Sequence, residues 1–308
     1  MLYPLTIPFE KLVNGEGFLK QLEWHADGQS TMVVWDLNKE VGQEGMLQAP
    51  QSWLAPAVWA YHTINVFDNG EGLITVDVNA YKDAKIVSGA HGFAYLENMR
   101  GGDATLSKQE RDGGYLRLQV NCYGSPLPTR RASARWLDMV DEQGRDWSFE
   151  LVRINEGRSG SAHRFSYGFT GFNHLPAGAP NHFGPGGAVV KMDSEANGGG
   201  APPLLVKPRI SGVVGLDSRV SEATAQAAQL KPSVTTWSSA TEFPSEPVFV
   251  ARPGGTAEDD GVLLFLGYDT LRRESFMGVL EAETMAEVAR VYCGSRCCVS
   301  FHGHWIPA

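Results

Sequence analysis

Short segments in which apolar and polar residues alternate recur along most of the chain. In residues 73–81 the apolar side chains Ile74, Val76, Val78 and Ala80 alternate with polar ones, and residues 115–123 repeat the pattern. A period of two places the apolar residues on one face of a β-strand and the polar residues on the other. Both segments are therefore predicted to be half-buried strands.

Turn-forming residues separate several of these segments and predict β-hairpins, because Asp-Gly and Asn-Gly favour tight turns. Three pairs of predicted strands are joined by such turns or by a short polar turn: 22–25 with 32–37, 59–67 with 73–81, and 262–267 with 276–280. Residues 131–140 form a further predicted strand, which ends at the turn Asp141-Glu142-Gln143-Gly144. The pattern predicts an all-β protein.

Helical periodicity is nearly absent from the chain. Residues 221–230 form the best predicted helix, with a serine cap followed by alanine and glutamine. They lie in a Gly- and Pro-rich stretch, 194–233, which is predicted to be a loop or disordered insertion because strand-like sequence resumes directly after it. Residues 1–308 are otherwise predicted to form a single domain, as a sandwich, a barrel or a propeller.

Charge and composition exclude some classes of function. The 308 residues carry a formal net charge of -9, which argues against a nucleic-acid partner because phosphates would be repelled. The sequence has no uninterrupted apolar stretch of the roughly 18 residues that predict a membrane-spanning helix, although peripheral membrane contact is compatible with it. Its four cysteines lack the paired spacing of a zinc site and are predicted to be reduced, partly buried thiols.

Two histidine positions are candidate metal ligands. His62 lies among aromatic and aliphatic residues on a predicted strand, and His302 and His304 share one face of the final segment. A lone histidine on a strand is more often a hydrogen-bonded core residue, so spacing alone leaves both interpretations of His62 open. Residues near a terminus usually fray unless something restrains them, and a metal bound by the final histidines would do so.

Four separate motifs carry a family resemblance. Residues 59–65, WAYHTIN, match F-H-x-x-N in part; residues 149–155, FELVRIN, are similar to F-E-F-P-R-I-N; and PSEP at 244–247 and FHG at 301–303 follow in order. In these motifs the chain resembles the carotenoid cleavage oxygenases, a family that includes the retinoid isomerase of the vertebrate eye. One departure is Val152, which stands where the family has proline.

The resemblance implies a fold and a metal site. The family fold is a seven-bladed β-propeller with Fe(2+) on its axis, held by four histidines. Position by position, His62 would be the third ligand and His302 the fourth, whereas His304 falls at a variable position and is left out. Glu150 would orient His62, and Glu246 would orient His302, because a ligating imidazole needs an acceptor for its other N–H.

The same resemblance implies that the chain is incomplete. The first two histidine ligands of the family precede the region that resembles residues 1–13, so the chain is expected to be the C-terminal part of an N-terminally truncated propeller. Any targeting segment would precede Met1, which leaves the cytoplasm and the plastid open as compartments. Activity of the 308 residues alone is left open.

The activity implied by the resemblance is oxidative cleavage of one C=C bond. The enzyme would be a non-haem iron dioxygenase that acts on a carotenoid or apocarotenoid with O2 and gives two carbonyl products, with no acid–base residue beyond the metal site. Two alternatives stay open: the retinoid isomerase or ester-cleaving branch of the family, and a catalytically inactive binder of a polyene or a protein partner. The oligomeric state is not predicted.

Overall fold

The computed structural model describes residues 1, 3–14, 21–35, 50–70, 72–84, 113–122, 130–170, 187–196, 231–297 and 302–306. Within these ranges nearly all regular structure is β-strand, as the alternating pattern predicts. The strands are β1 Leu5–Thr6, β2 Glu23–Trp24, β3 Ser30–Val34, β4 Gln51–Ala55, β5 Trp59–Asp68, β6 Leu73–Tyr81, β7 Gly113–Asn121, β8 Ser133–Trp136, β9 Glu150–Arg153, β10 Phe165–Thr170, β11 Gly187–Asp193, β12 Val234–Ser239, β13 Glu242–Pro244, β14 Val248–Ala251, β15 Gly261–Asp269, β16 Glu274–Glu281 and β17 Glu287–Tyr292.

Helices contribute little to the described residues. The helix α1 covers Phe9–Val13, and a single 3-10 turn covers Glu156–Arg158. No helix in the described ranges has the length and apolar character needed to cross a membrane. The predicted helix at 221–230 and most of the predicted insertion at 194–233 lie outside the described residues.

Three larger antiparallel sheets succeed one another along the chain. Strands β5 to β8 form the first and β9 to β12 the second, each with its four strands in sequence order. The third contains β13 to β17, with both β13 and β14 paired to β15. Two small sheets, β1 with β2 and β3 with β4, complete the described strands. Successive four-stranded antiparallel sheets of this kind are the units from which propellers are built.

The structure confirms two of the three predicted hairpins. Strands β5 and β6 pair from Trp59 opposite Tyr81, and β15 pairs with β16 from Val262 opposite Glu281. The predicted turn at 141–144 is also present, with the amide of Gly144 bonded to the carbonyl of Asp141. Gly144 has a φ of 70°, a conformation that glycine adopts without steric cost.

The hairpin predicted for residues 22–25 and 32–37 is wrong. The chain does turn there, since the amide of Gly28 donates to the carbonyl of His25. However, β2 pairs with β1, and the amide of His25 also donates to the carbonyl of Pro4. Strand β3 pairs instead with β4. The backbone groups of β2 are therefore already bonded to an earlier segment, and the turn leads into a different sheet.

The interior is apolar between the sheets but also contains a polar layer. One cluster contains Tyr115, Trp147, Phe149 and Val190 from the first two sheets and the segments near them. The prediction that β6 is half-buried is wrong, because its polar residues Thr75, Asp77 and Asn79 are at most 1% exposed. Another segment covers this face of β6, since Asp77 accepts hydrogen bonds from Arg117 of the neighbouring strand and also lies 3.7 Å from the buried ring of His163.

Candidate metal centre

His62 lies on β5 and is held by a carboxylate of the second sheet. Its Nδ1 is 2.9 Å from Oε2 of Glu150, the first residue of β9. The pairing register of β5 shifts beside His62, and Leu151, next to Glu150, has a φ of 51°. Left-handed backbone at leucine costs about 1 kcal/mol or more, and bulges re-aim side chains. Both side chains therefore face each other because of local irregularities in their strands.

Glu150 has a second partner that fixes its orientation. The hydroxyl of Tyr81, at the end of β6, donates to Oε1 of Glu150. Burial first, and then the neighbouring carboxylate, raise the pKa of Tyr81 well above its ordinary value, so this hydroxyl stays a donor. The hydrogen bond to Glu150 raises the pKa of His62. The other oxygen of Glu150 is thereby left to accept the Nδ1–H of His62.

His302 makes the corresponding pair near the C-terminus. Its Nδ1 is 3.0 Å from Oε1 of Glu246, which lies between β13 and β14. The backbone amide of Gly303 donates to the other oxygen of the same carboxylate at 2.6 Å. The Glu246 side chain is only 3% exposed, whereas that of His302 is 57% exposed. The buried carboxylate of Glu246 thus holds the exposed His302 through one bond to its ring and one to the amide of the next residue.

Arg153 connects this second pair to the sheet that carries Glu150. Its guanidinium donates to both oxygens of Glu246, at 2.8 and 3.1 Å, and to the carbonyl of Gly303 at 2.8 Å. Burial opposes ionisation of Glu246, but the bonds from Arg153 and Gly303 outweigh it and hold its pKa below the ordinary value. Glu246 therefore stays a carboxylate, able to accept from His302.

The two histidines lie side by side. Their ring centroids are 5.4 Å apart, with the ring planes at 76°. When Nδ1–H donates to a carboxylate, Nε2 carries the lone pair that can bind a metal. Two imidazoles that bind one ion through Nε2 at about 2.1 Å have ring centroids roughly 5 Å apart, so the spacing fits a shared metal.

The donor set is short of a full metal site within the described residues. No group of three or more histidine, cysteine, aspartate or glutamate side chains in those ranges could hold a metal. The chemistry of the two imidazoles fits a borderline metal such as Fe(2+), but further donors have to come from elsewhere.

The remaining described histidines lie in other environments. His304 is 62% exposed and pairs at 3.5 Å with Glu156, and His25 bonds to the hydroxyl of Thr6. Buried His163 contacts Tyr115 and Asn65. His91, His174 and His182 lie outside the described residues, as does Phe301 of the FHG motif.

The sequence analysis did not predict the buried polar network around His163. Asn65, which is on β5 like His62, donates to Nδ1 of His163 at 3.1 Å, and Tyr115 contacts Nε2 at 2.9 Å. Tyr115 and Arg117 both donate to Asp77. The signal was present in the polar positions of β6 and β7, but alternation alone assigned those positions to solvent.

Asn65 is locked in one orientation, which fixes the protonation of His163. Its Oδ1 accepts from the amide of Gly160 at 3.1 Å, and the two protons of its Nδ2 are shared among Nδ1 of His163 and the carbonyls of Arg158 and Ser161. Nδ2 can only donate. Nδ1 of His163 must therefore accept, and the ring is neutral. Burial lowers the pKa of His163 to about 4, with Asp77 and Arg117 acting in opposite directions.

The cysteine prediction is half right. Cys293 and Cys297 are free thiols, as predicted. Cys293 and Cys297 are exposed rather than partly buried, because they follow the edge strand β17 in a surface loop; Cys122 alone of the described three is partly buried. Cys298 lies outside the described residues.

Comparison with known proteins gives one family and a set of relatives. The family model described as retinal pigment epithelial membrane protein matches residues 1–307. A carotenoid cleavage oxygenase of Mycobacterium tuberculosis is 25% identical over 254 residues, which are 81% of this chain and 38% of the relative. A carotenoid isomerooxygenase of Galleria mellonella is 24% identical over 315 residues, or 99% of this chain and 49% of the relative.

A solved structure has a similar fold. The cobalt-substituted apocarotenoid oxygenase of Synechocystis superposes with a TM-score of 0.65 at 19% sequence identity. The match covers 99% of this chain and 50% of that one. The chain therefore spans at most about half the length of these matched proteins.

Proposed function

The chain belongs to the retinal pigment epithelial membrane protein family, which includes the carotenoid cleavage oxygenases, and from that membership we propose that it forms part of a non-haem iron dioxygenase. The reaction would cleave one C=C bond of a carotenoid or apocarotenoid with O2 to give two carbonyl products. One observation carries the proposal: two imidazoles with ring centroids 5.4 Å apart are each bonded through Nδ1 to a separate glutamate.

Each residue of the site has a definite task in this proposal. His62 and His302 would hold Fe(2+) through Nε2, and Fe(2+) when bound would supply the binding of O2 beside the polyene. Glu150 and Glu246 fix the tautomer and the ring orientation of the two ligands. Tyr81 and Arg153 hold those carboxylates in place. None of these residues is assigned proton transfer to the substrate.

The site would be completed by residues that this chain does not contain. The chain covers 38% to 50% of the relatives and the solved structure described above, so half or more of their length has no counterpart in it. We propose that the remaining two histidine ligands and the remaining blades of a seven-bladed propeller come from that part. Residues 1–308 would then be one section of a single domain, with 194–233 as an insertion.

Two other functions are kept as alternatives. The first is the retinoid isomerase or ester-cleaving branch of the family, for which the carotenoid isomerooxygenase of Galleria mellonella among the relatives supports isomerisation alone. A non-catalytic binder of a polyene or a protein is favoured by the shortage of metal donors in the described residues. Peripheral membrane contact would suit either lipophilic substrate.

Product analysis separates these alternatives. The polypeptide that carries this sequence, purified from its source, is incubated with O2 and either a carotenoid or a retinyl ester. The proposal predicts aldehyde or ketone products from the carotenoid, with both new carbonyl oxygens labelled by ¹⁸O2. An isomerised retinoid, or the acid released from the retinyl ester, without ¹⁸O from ¹⁸O2 would favour the isomerase or ester-cleaving branch. No product from either substrate would favour the non-catalytic binder.

Matched histidine variants assign the site within the same experiment. His62→Ala and His302→Ala are each expected to lower cleavage by at least about 100-fold, since each removes a metal ligand. His304→Ala is the control, because His304 is exposed and pairs with Glu156. Full activity of His62→Ala or His302→Ala, or equal loss in His304→Ala, would contradict the assignment.

A further inference from the structure

A pair of exposed thiols lies directly after the last strand of the third sheet. Strand β17 ends at Tyr292, and Cys293 and Cys297 follow in the sequence Cys-Gly-Ser-Arg-Cys. Both are free and exposed. Neither belongs to the candidate metal centre, and no part of the proposed reaction uses them.

Hydrogen bonds from their backbone amides bring both cysteines close to the same residue, Ser275. The amide of Cys293 donates to the carbonyl of Ser275 at 2.8 Å, and the amide of Cys297 donates to the Ser275 hydroxyl at 2.9 Å. The amide of Ser275 in turn donates to the carbonyl of Ser295 at 3.0 Å. Ser275 is fully buried in β16, so the loop is folded around a fixed anchor.

The turn itself has a defined conformation. Gly294 has a φ of 71°, and its amide donates to Oε1 of Glu274 at 2.7 Å. This reversal folds the segment back on itself, so that the amides of Cys293 and Cys297 both donate to Ser275.

We propose that Cys293 and Cys297 are a dithiol site that closes reversibly to a disulfide on exchange with a small-molecule disulfide such as oxidised glutathione. One protein thiolate attacks a sulfur of the oxidant and releases one glutathione thiolate. The second protein thiolate then attacks the mixed disulfide and releases the other. The protein loses two electrons and two protons, and the oxidant is reduced to two thiols.

The surroundings predict that the exchange is slow at neutral pH. Desolvation, the hydrogen bond with Cys297 and the nearby Glu274 all raise the pKa of Cys293. Because the thiolate is the attacking species, the rate of closure should rise with pH through the alkaline range.

The position of Arg296 gives a direct assay for the bond. Trypsin cleaves after Arg296, between the two cysteines, so closure keeps two tryptic peptides joined until a reductant is added. The whole chain is incubated with oxidised glutathione, alkylated, digested and analysed by mass spectrometry with and without reduction. The expected product is a linked pair of peptides, about 2 mass units lighter than the sum of the reduced peptides.

Single substitutions identify the two sulfur atoms. Cys293→Ser and Cys297→Ser should each abolish the linked pair, whereas Cys298→Ser and Cys122→Ser should leave it. Ser275→Ala removes the hydroxyl that anchors Cys297 and should slow closure about fivefold. Thermal unfolding of each reduced variant checks that it is folded.

Two outcomes would overturn the proposal. A linked pair that survives Cys297→Ser but is lost in Cys298→Ser would assign the bond to Cys298 instead. Absence of any linked pair in the unsubstituted protein, at both neutral and alkaline pH, would show that the two thiols do not form a disulfide.

Discussion

The two histidine–glutamate pairs of the candidate centre have the same local geometry but different supports. His62 and Glu150 both lie on strands, and the side chains are 29% and 25% exposed. His302 follows the last strand, and its partner Glu246 is buried beneath it. The first pair is positioned by sheets and the second by a charge network, so different perturbations should displace them.

The difference shows how a terminal residue can be kept in a site. The tail around His302 and Gly303 adds no strand to the third sheet among the described residues. It is held by Glu246 and Arg153 through several charge-assisted hydrogen bonds, which are stronger than neutral ones. His62 needs no such network, since its strand pairs with β6 from Trp59 to Asp68, with two irregularities in the register.

The largest expected effect is on stability after loss of the buried carboxylate. Glu246→Ala leaves the Arg153 guanidinium and the amide of Gly303 without their acceptor, so we expect a loss of about 3 kcal/mol in the free energy of unfolding. This value is at the low end for a broken buried ion pair because Arg153 is 31% exposed. Glu150→Ala, the matched substitution in the other pair, should cost about 1 kcal/mol.

Chemical denaturation of both variants measures the difference. In Glu246→Ala the ring NMR signals of His302 should shift more than those of His62, whose ring lies 5.4 Å away and is affected through the ring current, and Glu150→Ala should give the reverse. Equal losses of stability in the two variants would contradict the distinction between the two supports.

An intermediate loss of stability is expected at acid pH, from the buried polar network around His163. His163 has a pKa of about 4 in the folded protein, against 6.5 ordinarily. The unfolded chain therefore binds a proton that the folded chain does not, and stability falls as pH drops below about 6.5 towards 4. Between pH 8 and pH 5 the loss should be about 2 kcal/mol.

The His163→Gln variant isolates this contribution. Asp77, Arg117 and Tyr115 surround His163, and both Arg117 and Tyr115 donate hydrogen bonds to Asp77. Denaturation curves from pH 8 to pH 5 should therefore be flatter for His163→Gln than for the unsubstituted protein. The same slope in both proteins would exclude His163 as the cause.

The smallest expected effect is loss of the hydroxyl that supports Glu150. Tyr81→Phe removes one hydrogen bond to the carboxylate and should cost about 1 kcal/mol. The ring signals of His62 should change more than those of His302, because the hydroxyl of Tyr81 donates to the carboxylate that holds His62. A change confined to His302 would contradict the account. Thermal unfolding gives the stability change.

Much of this arrangement could be predicted from the sequence. Alternation and turn residues predicted the β-rich fold and the pairing of β5 with β6 and of β15 with β16. The motif resemblance predicted that His62 and Glu150 would pair, although Glu150 is distant in sequence. The structure places them 2.9 Å apart.

The rest depended on contacts that no local pattern encodes. Arg153 can bind the carbonyl of Gly303 only because the C-terminal tail returns to β9. Asp77 is buried only because another segment covers β6. The hairpin at 22–37 failed for the same reason, because an earlier strand already occupied the partner position. Local sequence specifies a turn, but the competition between possible partners decides which strands pair.

The central claim is that His62 and His302 bind the same iron, and iron content tests it most directly. The polypeptide that carries this sequence is purified anaerobically, and its metal is measured by mass spectrometry beside the His62→Ala, His302→Ala and His304→Ala variants. We expect about one iron in the unsubstituted protein and in His304→Ala, and a large loss in each of the other two. Full iron content in His62→Ala and His302→Ala, or no iron in the unsubstituted protein, would contradict the claim.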